Sequence, residues 1–339
     1  MDKQIVFTDV NKAELLDVES QELSDNSVRV KTVVSTVSSG TERANIIGEV
    51  AVGISSTETD KAVFPRKLGY STSGIVVEKG KNVTELEIGD RVAMCWTTHR
   101  SHNVVEAKNA VKIADSVSME EAALAHIAAF PLAAIRKTKL EIGESLMVMG
   151  LGILGLLAVS LAHAAGAVPV IAVDPKKERR EKALLFGADH ALDPFEEGFA
   201  EKVKALTHGG VNTAIEVTGQ GAALNETLDC MAKFGRVALL GCTRHSDFTI
   251  DYYRKVHGPG ISLIGAHTAA RPKEESHPHC FTVADDIKTV LKLCEAGRID
   301  LKGIIDETHL PEECGKVYER LVFDKDFPTV VQFDWRDIK

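Results

Sequence analysis

The stretch SLMVMGLGILGLLAVSLAHAAGAVPVIAVD, Ser145 to Asp174, decides the fold. From Ser145 to Val173 it holds no Asp, Glu, Lys or Arg, a run long enough to cross a bilayer. Four glycines, Pro169 and His163 break it into three pieces instead. SLMVMG reads as a strand, ILGLLAVSLAHAAG as a helix ending at Gly166, and VPVIAVD as a second strand. Strand, turn, helix and strand form one unit of a buried core, so no membrane partner is expected.

The turn of that unit is Gly150-Leu151-Gly152-Ile153-Leu154-Gly155. The G-x-G-x-x-G spacing is weak alone, but here it follows a strand and opens a helix. Gly150 permits the tight turn, Gly152 lets the backbone approach a pyrophosphate, and Gly155 lets the helix pack close on the sheet. The free N–H groups at the helix start then bind the phosphates. Asp174 closes the next strand, placed to accept hydrogen bonds from a ribose diol and to repel a 2′-phosphate. NAD is therefore favoured over NADP, while Lys176, Lys177 and Arg179 nearby pull the other way. A glycine-rich turn with no ligand is the structural alternative.

Outward from this unit the alternation continues. PKKERREKALLFG is a helix stopped by Gly187, and TAIEVTG, GRVALLG and GISLIGA are further buried strands. Such alternation predicts a doubly wound parallel sheet covered on both faces by helices. The first ~120 residues read differently, as short strands in a small all-β barrel or sandwich: SVRVKTVVST, GIVVEKG, DRVAM, HNVVEA and VKIAD. SMEEAALAHIAAFPLAAIRKT then reads as a helix, with Ser118 as N-cap and Glu121 as its capping-box partner. ADDIKTVLKLCEAG is a late helix and PTVVQFDW a closing strand.

The chain has 339 residues, enough for two domains, with 44% hydrophobic and 26% charged residues, as in an ordinary globular protein. A net charge of −9 with no dense basic block excludes a general nucleic-acid binder. Met1 to Val10 has no long apolar stretch, so no signal peptide is expected. The six cysteines form no C-x-x-C pair, which predicts free thiols and a cytoplasmic location.

Several pieces together carry a wider resemblance: SSGTE at Ser38–Glu42, PRKLGYSTSGIVVEKG, EIGDRVA, AALAHIAAFPLAAIRK, VMGLGILGLLAVSLAHAAGA, AIEVTG, GRVALLG and the VVQFDW ending. Over nearly its whole length the chain resembles the medium-chain dehydrogenase/reductase family, the zinc-type alcohol and polyol dehydrogenases. The resemblance implies a GroES-like β-barrel catalytic domain, residues 1–140 and 286–339, around an inserted Rossmann domain, residues 141–285. It implies a cofactor surface that includes Thr41, Thr218, Gly241 and His267 with the glycine turn, Asp174 and Arg179. It also implies a homodimer or homotetramer paired through Rossmann sheet edges.

The same resemblance exposes a departure. Where the family places a Cys, a His and a third ligand on catalytic zinc, this sequence has Ser39, Tyr70 and His126, and Ser71 replaces the Glu beside the histidine. A hydroxyl and a phenol are poor zinc ligands beside thiolate and imidazole. The four closely spaced cysteines of a structural zinc lobe are also missing, so no metal is expected at either place. Oxidising an alcohol still requires a group to take the hydroxyl proton. Tyr70 is the leading candidate and His126 the next; Ser39 would orient the substrate oxygen, and Glu42 would join a relay or pair with Arg43. Trp96 and His99 are candidate substrate residues.

Each has a structural alternative: Tyr70 as filler for the space of a lost metal, His126 as a satisfied helix histidine, Ser39 and Thr41 as turn formers, His99 and His102 as a surface pair. The favoured function is a zinc-independent, NAD-dependent oxidoreductase acting on a secondary alcohol, namely a small sugar, polyol or cyclitol. An NADPH-dependent quinone or enoyl reductase and a non-catalytic dinucleotide-binding protein are the competing readings. His277-Pro278-His279-Cys280 reads as a loop, not a metal patch.

Overall fold

The structure is a computed structural model that describes residues 1–52, 62–244, 246 and 248–338. The chain folds as two compact units. One contains Met1–Ile127, Val283–Gly297 and Leu301–Lys339; the other contains Ala128–Thr282 and Arg298–Asp300.

The first unit opens with a hairpin of β1 (Asp2–Asp9) and β2 (Lys12–Val18), turning at Asn11 with φ +57°. Strand β3 (Ser27–Thr36) leads into helix α1 (Ser39–Ile46). Then follow β4 (Ser71–Lys79), β5 (Arg91–Cys95), β6 (His102–Glu106) and β7 (Ala110–Lys112). Strand β3 is the centre: it pairs antiparallel with both β4 and β6. Alternate valines of these strands, Val28, Val30, Val76 and Val92, form a buried core with Met94 and Leu86. That is the outcome the period-two pattern dictates.

The helical stretch after Ser118 differs from the sequence expectation. The capping box forms, with Glu121 N–H on Ser118 Oγ and Ser118 N–H on Glu121 Oε2. The helix, however, divides into α2 (Met119–Ala122) and α3 (Ala125–Thr138). The division has a local cause. The Ala123 carbonyl accepts the hydroxyls of Thr36 (2.9 Å) and Ser71 (2.7 Å), so it serves strands rather than a helix ladder. Ser73 donates likewise to the Met119 carbonyl. Ser71 and Ser73 thus tie β4 to the helical turn beside it, while Thr72 between them donates to the Thr97 hydroxyl.

The second unit is the βαβ alternation read from the sequence. Its elements are β8 (Leu146–Met149), α4 (Ile153–Ala164), β9 (Val170–Val173), α5 (Lys177–Leu185), β10 (His190–Leu192), α6 (Phe199–Leu206), β11 (Val211–Glu216), α7 (Gly221–Asp229), β12 (Met231–Leu239) and β13 (Ser262–Gly265). The strands run parallel in the order β10-β9-β8-β11-β12-β13. The chain leaves β8 in one direction and later resumes at β11 in the other. With right-handed crossovers this puts helices on both faces and a crevice at the carboxyl ends of β8 and β11. Strand β13 corrects one expectation: it is an edge strand with exposed residues, because among the described residues only β12 flanks it.

The chain returns to the first unit through α8 (Val283–Glu295), β14 (Glu307–His309), α9 (Cys314–Phe323) and β15 (Val331–Asp334). Strand β15 pairs antiparallel with β3, setting Phe333 opposite Ser35. Tyr318, Phe333 and Trp335 join Phe7 and Ile5 in a second core of this unit. Among the described residues, no helix is long and apolar enough to cross a membrane.

Candidate active site

The glycine turn of the second unit has the geometry its spacing predicts. Gly150 adopts φ +97°, a conformation L side chains rarely take. A Cβ on Gly155 would lie 1.9 Å from the Gly150 carbonyl oxygen, so α4 packs directly on the turn. A Cβ on Gly152 would meet only open space, at the N-cap of α4. Leu151 and Ile153 are buried beneath the turn, and Leu154 is half-buried. The open face of the turn and the helix start together form a cradle suited to a pyrophosphate.

Four neighbouring loops, after β9, β11, β12 and β13, complete this end of the sheet. Asp174 is buried; its Oδ2 accepts the Leu151 N–H and its Oδ1 the Lys176 N–H, each at 2.9 Å. Arg179 Nη1 stands 3.5 Å from Oδ2, while Arg180 holds the Asp174 carbonyl and Asp193. At the end of β11, Glu216 gathers the Thr218 N–H, the Thr218 hydroxyl and the Gly219 N–H. Burial pushes the Glu216 carboxyl above its ordinary range, and those hydrogen bonds offset the rise only in part. The missing side chain of Gly241 lets its backbone pass the Gly219 N–H, since a Cβ would lie 2.2 Å away. His267 accepts the Ala269 N–H at Nδ1; burial, then the Lys137 charge, holds its ring below the usual histidine value.

In the first unit, the polar residues around α1 converge. Tyr70 Oη lies 2.5 Å from Ser38 Oγ. His126 Nδ1 donates to the Tyr70 carbonyl at 2.7 Å, because a carbonyl can only accept. In the neutral ring Nε2 is then the acceptor nitrogen. The His126 ring stands edge-on to Tyr70 (centroids 5.4 Å apart) and to Trp96 (4.8 Å). Trp96 is 51% exposed and sits at φ +61°. That backbone conformation is costly for a bulky residue and marks functional loops.

Beneath them lies a buried network. Glu42 accepts the Ser38 N–H at Oε1 (2.9 Å), the Tyr318 hydroxyl at Oε2 (2.5 Å) and His99 Nε2 (3.2 Å). His99 Nδ1 meets Ser35 Oγ at 2.7 Å, and Ser35 Oγ accepts the Trp335 indole N–H at 2.8 Å. The donors run one way: Trp335 to Ser35, Ser35 to His99, His99 to Glu42. This order fixes the Nε2–H tautomer of His99. Burial, followed by the Glu42 charge, holds the Tyr318 phenol well above the ordinary tyrosine value, so it stays a donor.

The structure therefore brings Tyr70, His126 and Trp96 together and places Glu42 and His99 elsewhere than expected. Glu42 does not pair with Arg43, whose guanidinium reaches the Val322 carbonyl. His99 is not a surface residue; it is buried with both ring nitrogens inside the network. His102 instead pairs with Asp2. Ser39 and Thr41 lie half-buried in the first turn of α1, and it is Ser38, the neighbour of Ser39, that meets Tyr70. Ser38, Tyr318, Ser35 and Trp335 were not singled out from the sequence. No local signal in the sequence separates Ser38 from Ser39, and nothing local links Tyr318 to Glu42. His277 and Cys280 exchange backbone hydrogen bonds in a tight turn. Among the described residues, no three His, Cys, Asp or Glu side chains group as metal ligands would.

Comparison with known proteins agrees with this geometry. Residues 25–135 match the alcohol dehydrogenase GroES-like domain, and residues 154–278 match the zinc-binding dehydrogenase family. L-threonine 3-dehydrogenase of Pyrococcus horikoshii is 30% identical over 274 residues, covering 71% of this chain and 74% of that protein. D-guloside 3-dehydrogenase of Escherichia coli is 27% identical over 294 residues, covering 80% and 83%. The crystal structure of 2R,3R-butanediol dehydrogenase from Bacillus subtilis has a TM-score of 0.81 at 20% identity, over 98% of this chain and 99% of that one, a likeness of fold. Fold and site thus define an oxidoreductase acting on CH–OH groups, with a GroES-like domain and a Rossmann domain. The chain belongs to the medium-chain dehydrogenase/reductase family, whose members are NAD(P)-dependent.

Proposed function

We propose that this protein is a zinc-independent, NAD-dependent dehydrogenase of secondary alcohols in small sugars, polyols or cyclitols, with Tyr70 as its acid/base. The observation that carries the reading is the Tyr70 phenol beside Ser38 and His126, in the place where the family resemblance calls for a zinc-binding histidine. The donor set does not suit zinc. It offers one neutral hydroxyl (Ser39), one phenol already engaged by Ser38 and one imidazole.

The Gly150–Gly155 cradle and the Asp174 carboxylate would hold the dinucleotide, which when bound supplies the hydride acceptor or donor. Asp174 favours NAD, because a carboxylate repels a 2′-phosphate and accepts from a diol. In the oxidation direction Tyr70 accepts the substrate hydroxyl proton; in reduction it returns it. His126, whose Nδ1 donates to the Tyr70 carbonyl, is the second candidate for passing that proton on. Trp96 presents an exposed indole against which the apolar face of a polyol ring can lie. The names of two relatives, which act on threonine and on a guloside, also point to hydroxyl-bearing substrates.

The deciding experiment measures NADH formation over a panel of sugars, polyols and cyclitols, with and without chelator. Turnover that survives the chelator and falls on Tyr70→Phe supports the reading. Turnover abolished by the chelator and restored by zinc overturns it.

We further infer a cytoplasmic homodimer or homotetramer. The six free thiols suit a reducing compartment. The β13 edge carries exposed Leu263 and, among the described residues, ends the sheet, which suits pairing with a second copy. A monomer in light scattering at micromolar concentration would overturn the assembly.

A further inference from the structure

Ser38 stands at the N-cap of α1, where a serine hydroxyl ordinarily accepts an N–H from the first helical turn. Here its side chain makes no such bond. It turns to Tyr70 instead, at 2.5 Å, the short end for a hydroxyl pair. The helix forgoes a cap worth about 1 kcal/mol. A local rule broken beside a site is where function is expected to override stability.

The backbone of Ser38 is pinned at both ends by one residue. Its N–H donates to Glu42 Oε1 at 2.9 Å, and its carbonyl accepts the Glu42 N–H at 2.8 Å. Glu42 is itself fixed by Tyr318 and His99. The buried network therefore ends on a single hydroxyl aimed at a single phenol. That phenol lies at the amino end of α1, where the helix favours negative charge; the Glu42 carboxylate in the same turn opposes a second charge, and the His126 ring faces the phenol edge-on.

We infer that Ser38 is a positioning residue for Tyr70: its hydroxyl donates to the phenol oxygen and stabilises the phenolate, which then exchanges a proton with the substrate hydroxyl. The bond made is phenol O–H, from a phenolate lone pair, and the bond broken is substrate O–H, whose pair stays on the substrate oxygen; nothing is oxidised or reduced in this step. When the phenol is protonated, either oxygen of the pair can donate; when it is ionised, only Ser38 can. The bond is therefore stronger in the ionised form. This inference rests on the reading of Tyr70 as the acid/base, and its test is chosen to be independent of turnover.

The test is a tyrosinate titration on the full chain, read by near-ultraviolet absorbance without substrate. The Tyr70 component is the wild-type curve minus that of Tyr70→Phe. It is expected to titrate below the ordinary tyrosine range of ~10. Ser38→Ala should raise its midpoint by roughly one to two pH units, the equivalent of one hydrogen bond to a charged group. Ser38→Thr keeps the hydroxyl and should restore the wild-type midpoint. Equal midpoints in wild type and Ser38→Ala overturn the inference. If Ser38→Ala does not fold, the wild type decides with Ser38→Thr. A Tyr70 component at or above ~10 overturns the inference, and a low one that Ser38→Thr preserves sustains it. Undiminished turnover by Tyr70→Phe, alongside a Ser38→Ala shift, would keep the coupling and remove Tyr70 from the acid/base role, so the two readings fail separately.

Discussion

Replacing Glu42 by glutamine changes one atom in the buried network, and its cost can be worked from the donors around it. Three groups give to this carboxylate: the Ser38 N–H, the Tyr318 hydroxyl and His99 Nε2–H. A glutamine amide can face them in two ways. With its NH₂ toward Ser38, donor meets donor, and a backbone N–H cannot reverse. With its NH₂ toward Tyr318, the phenol oxygen can accept, but its own proton then lacks an acceptor in a place closed to solvent. Either way one buried donor is orphaned, at ~1–3 kcal/mol, and the remaining bonds lose their charge assistance, roughly another 1–2 kcal/mol. The expected loss is roughly 2–5 kcal/mol, a large share of the ~5–15 kcal/mol that holds an ordinary domain. Urea unfolding followed by tryptophan fluorescence isolates the effect, because both tryptophans, Trp96 and Trp335, belong to the first unit. Tyr318→Phe should cost about 1.5–3 kcal/mol, and the double variant less than the sum of the two. A folded Glu42→Gln protein that loses under ~0.5 kcal/mol, with strictly additive Tyr318→Phe, would refute the reasoning.

Gly155→Ala should weaken dinucleotide binding at least ~10-fold by calorimetry, since the new methyl must displace the Gly150 carbonyl; unchanged affinity would reject the packed turn. The raised Tyr318 phenol contributes stability that is full below the unfolded tyrosine value of ~10 and is lost as pH rises toward its higher folded value. Alkaline unfolding above pH ~10 should therefore flatten in Tyr318→Phe, and an identical pH slope would count against it. Glu307 is held down at about 2, first by its hydrogen bond from Arg320 and then by His309. Its contribution is present above the unfolded value of ~4.3 and fades as pH falls toward 2; because the pair is partly exposed, Arg320→Ala should cost under ~1 kcal/mol and less in high salt. Burial pushes the Cys230 thiol up to about 12 and Cys314 up to about 11. Native alkylation near neutral pH should modify exposed Cys242 well before either of them, and peptide mapping reads the order.

The Rossmann half was legible because its determinants are local. The glycine turn, its flanking strand and helix, and Asp174 lie within one short stretch, and each glycine has a backbone reason that the structure reproduces at Gly150 and Gly155. The β-rich half was legible as strands, through the alternating valines of β3 and β4, but less so in its joints. The break between α2 and α3 depends on Thr36 and Ser71 hydroxyls arriving from other strands, and no helical periodicity encodes that. Exposure of β13 depends on strand order, which an apolar run cannot state.

The same distinction separates the parts of the candidate site. Tyr70 and His126 could be read because they occupy places where a metal ligand was expected, and the structure brings their side chains to one another. Ser38 and Tyr318 could not, because their roles arise from partners at distant positions: Tyr70 for one, Glu42 for the other. Glu42 and His99 show what residue type leaves out. Glu42 reads as a relay member or as a partner of Arg43, and His99 as a substrate residue or half of a surface pair, while the structure joins the two in one buried network in which the carboxylate receives three donors. Chemistry-bearing residue types name candidates; burial and donor direction decide which of them touch substrate and which fix the geometry beneath.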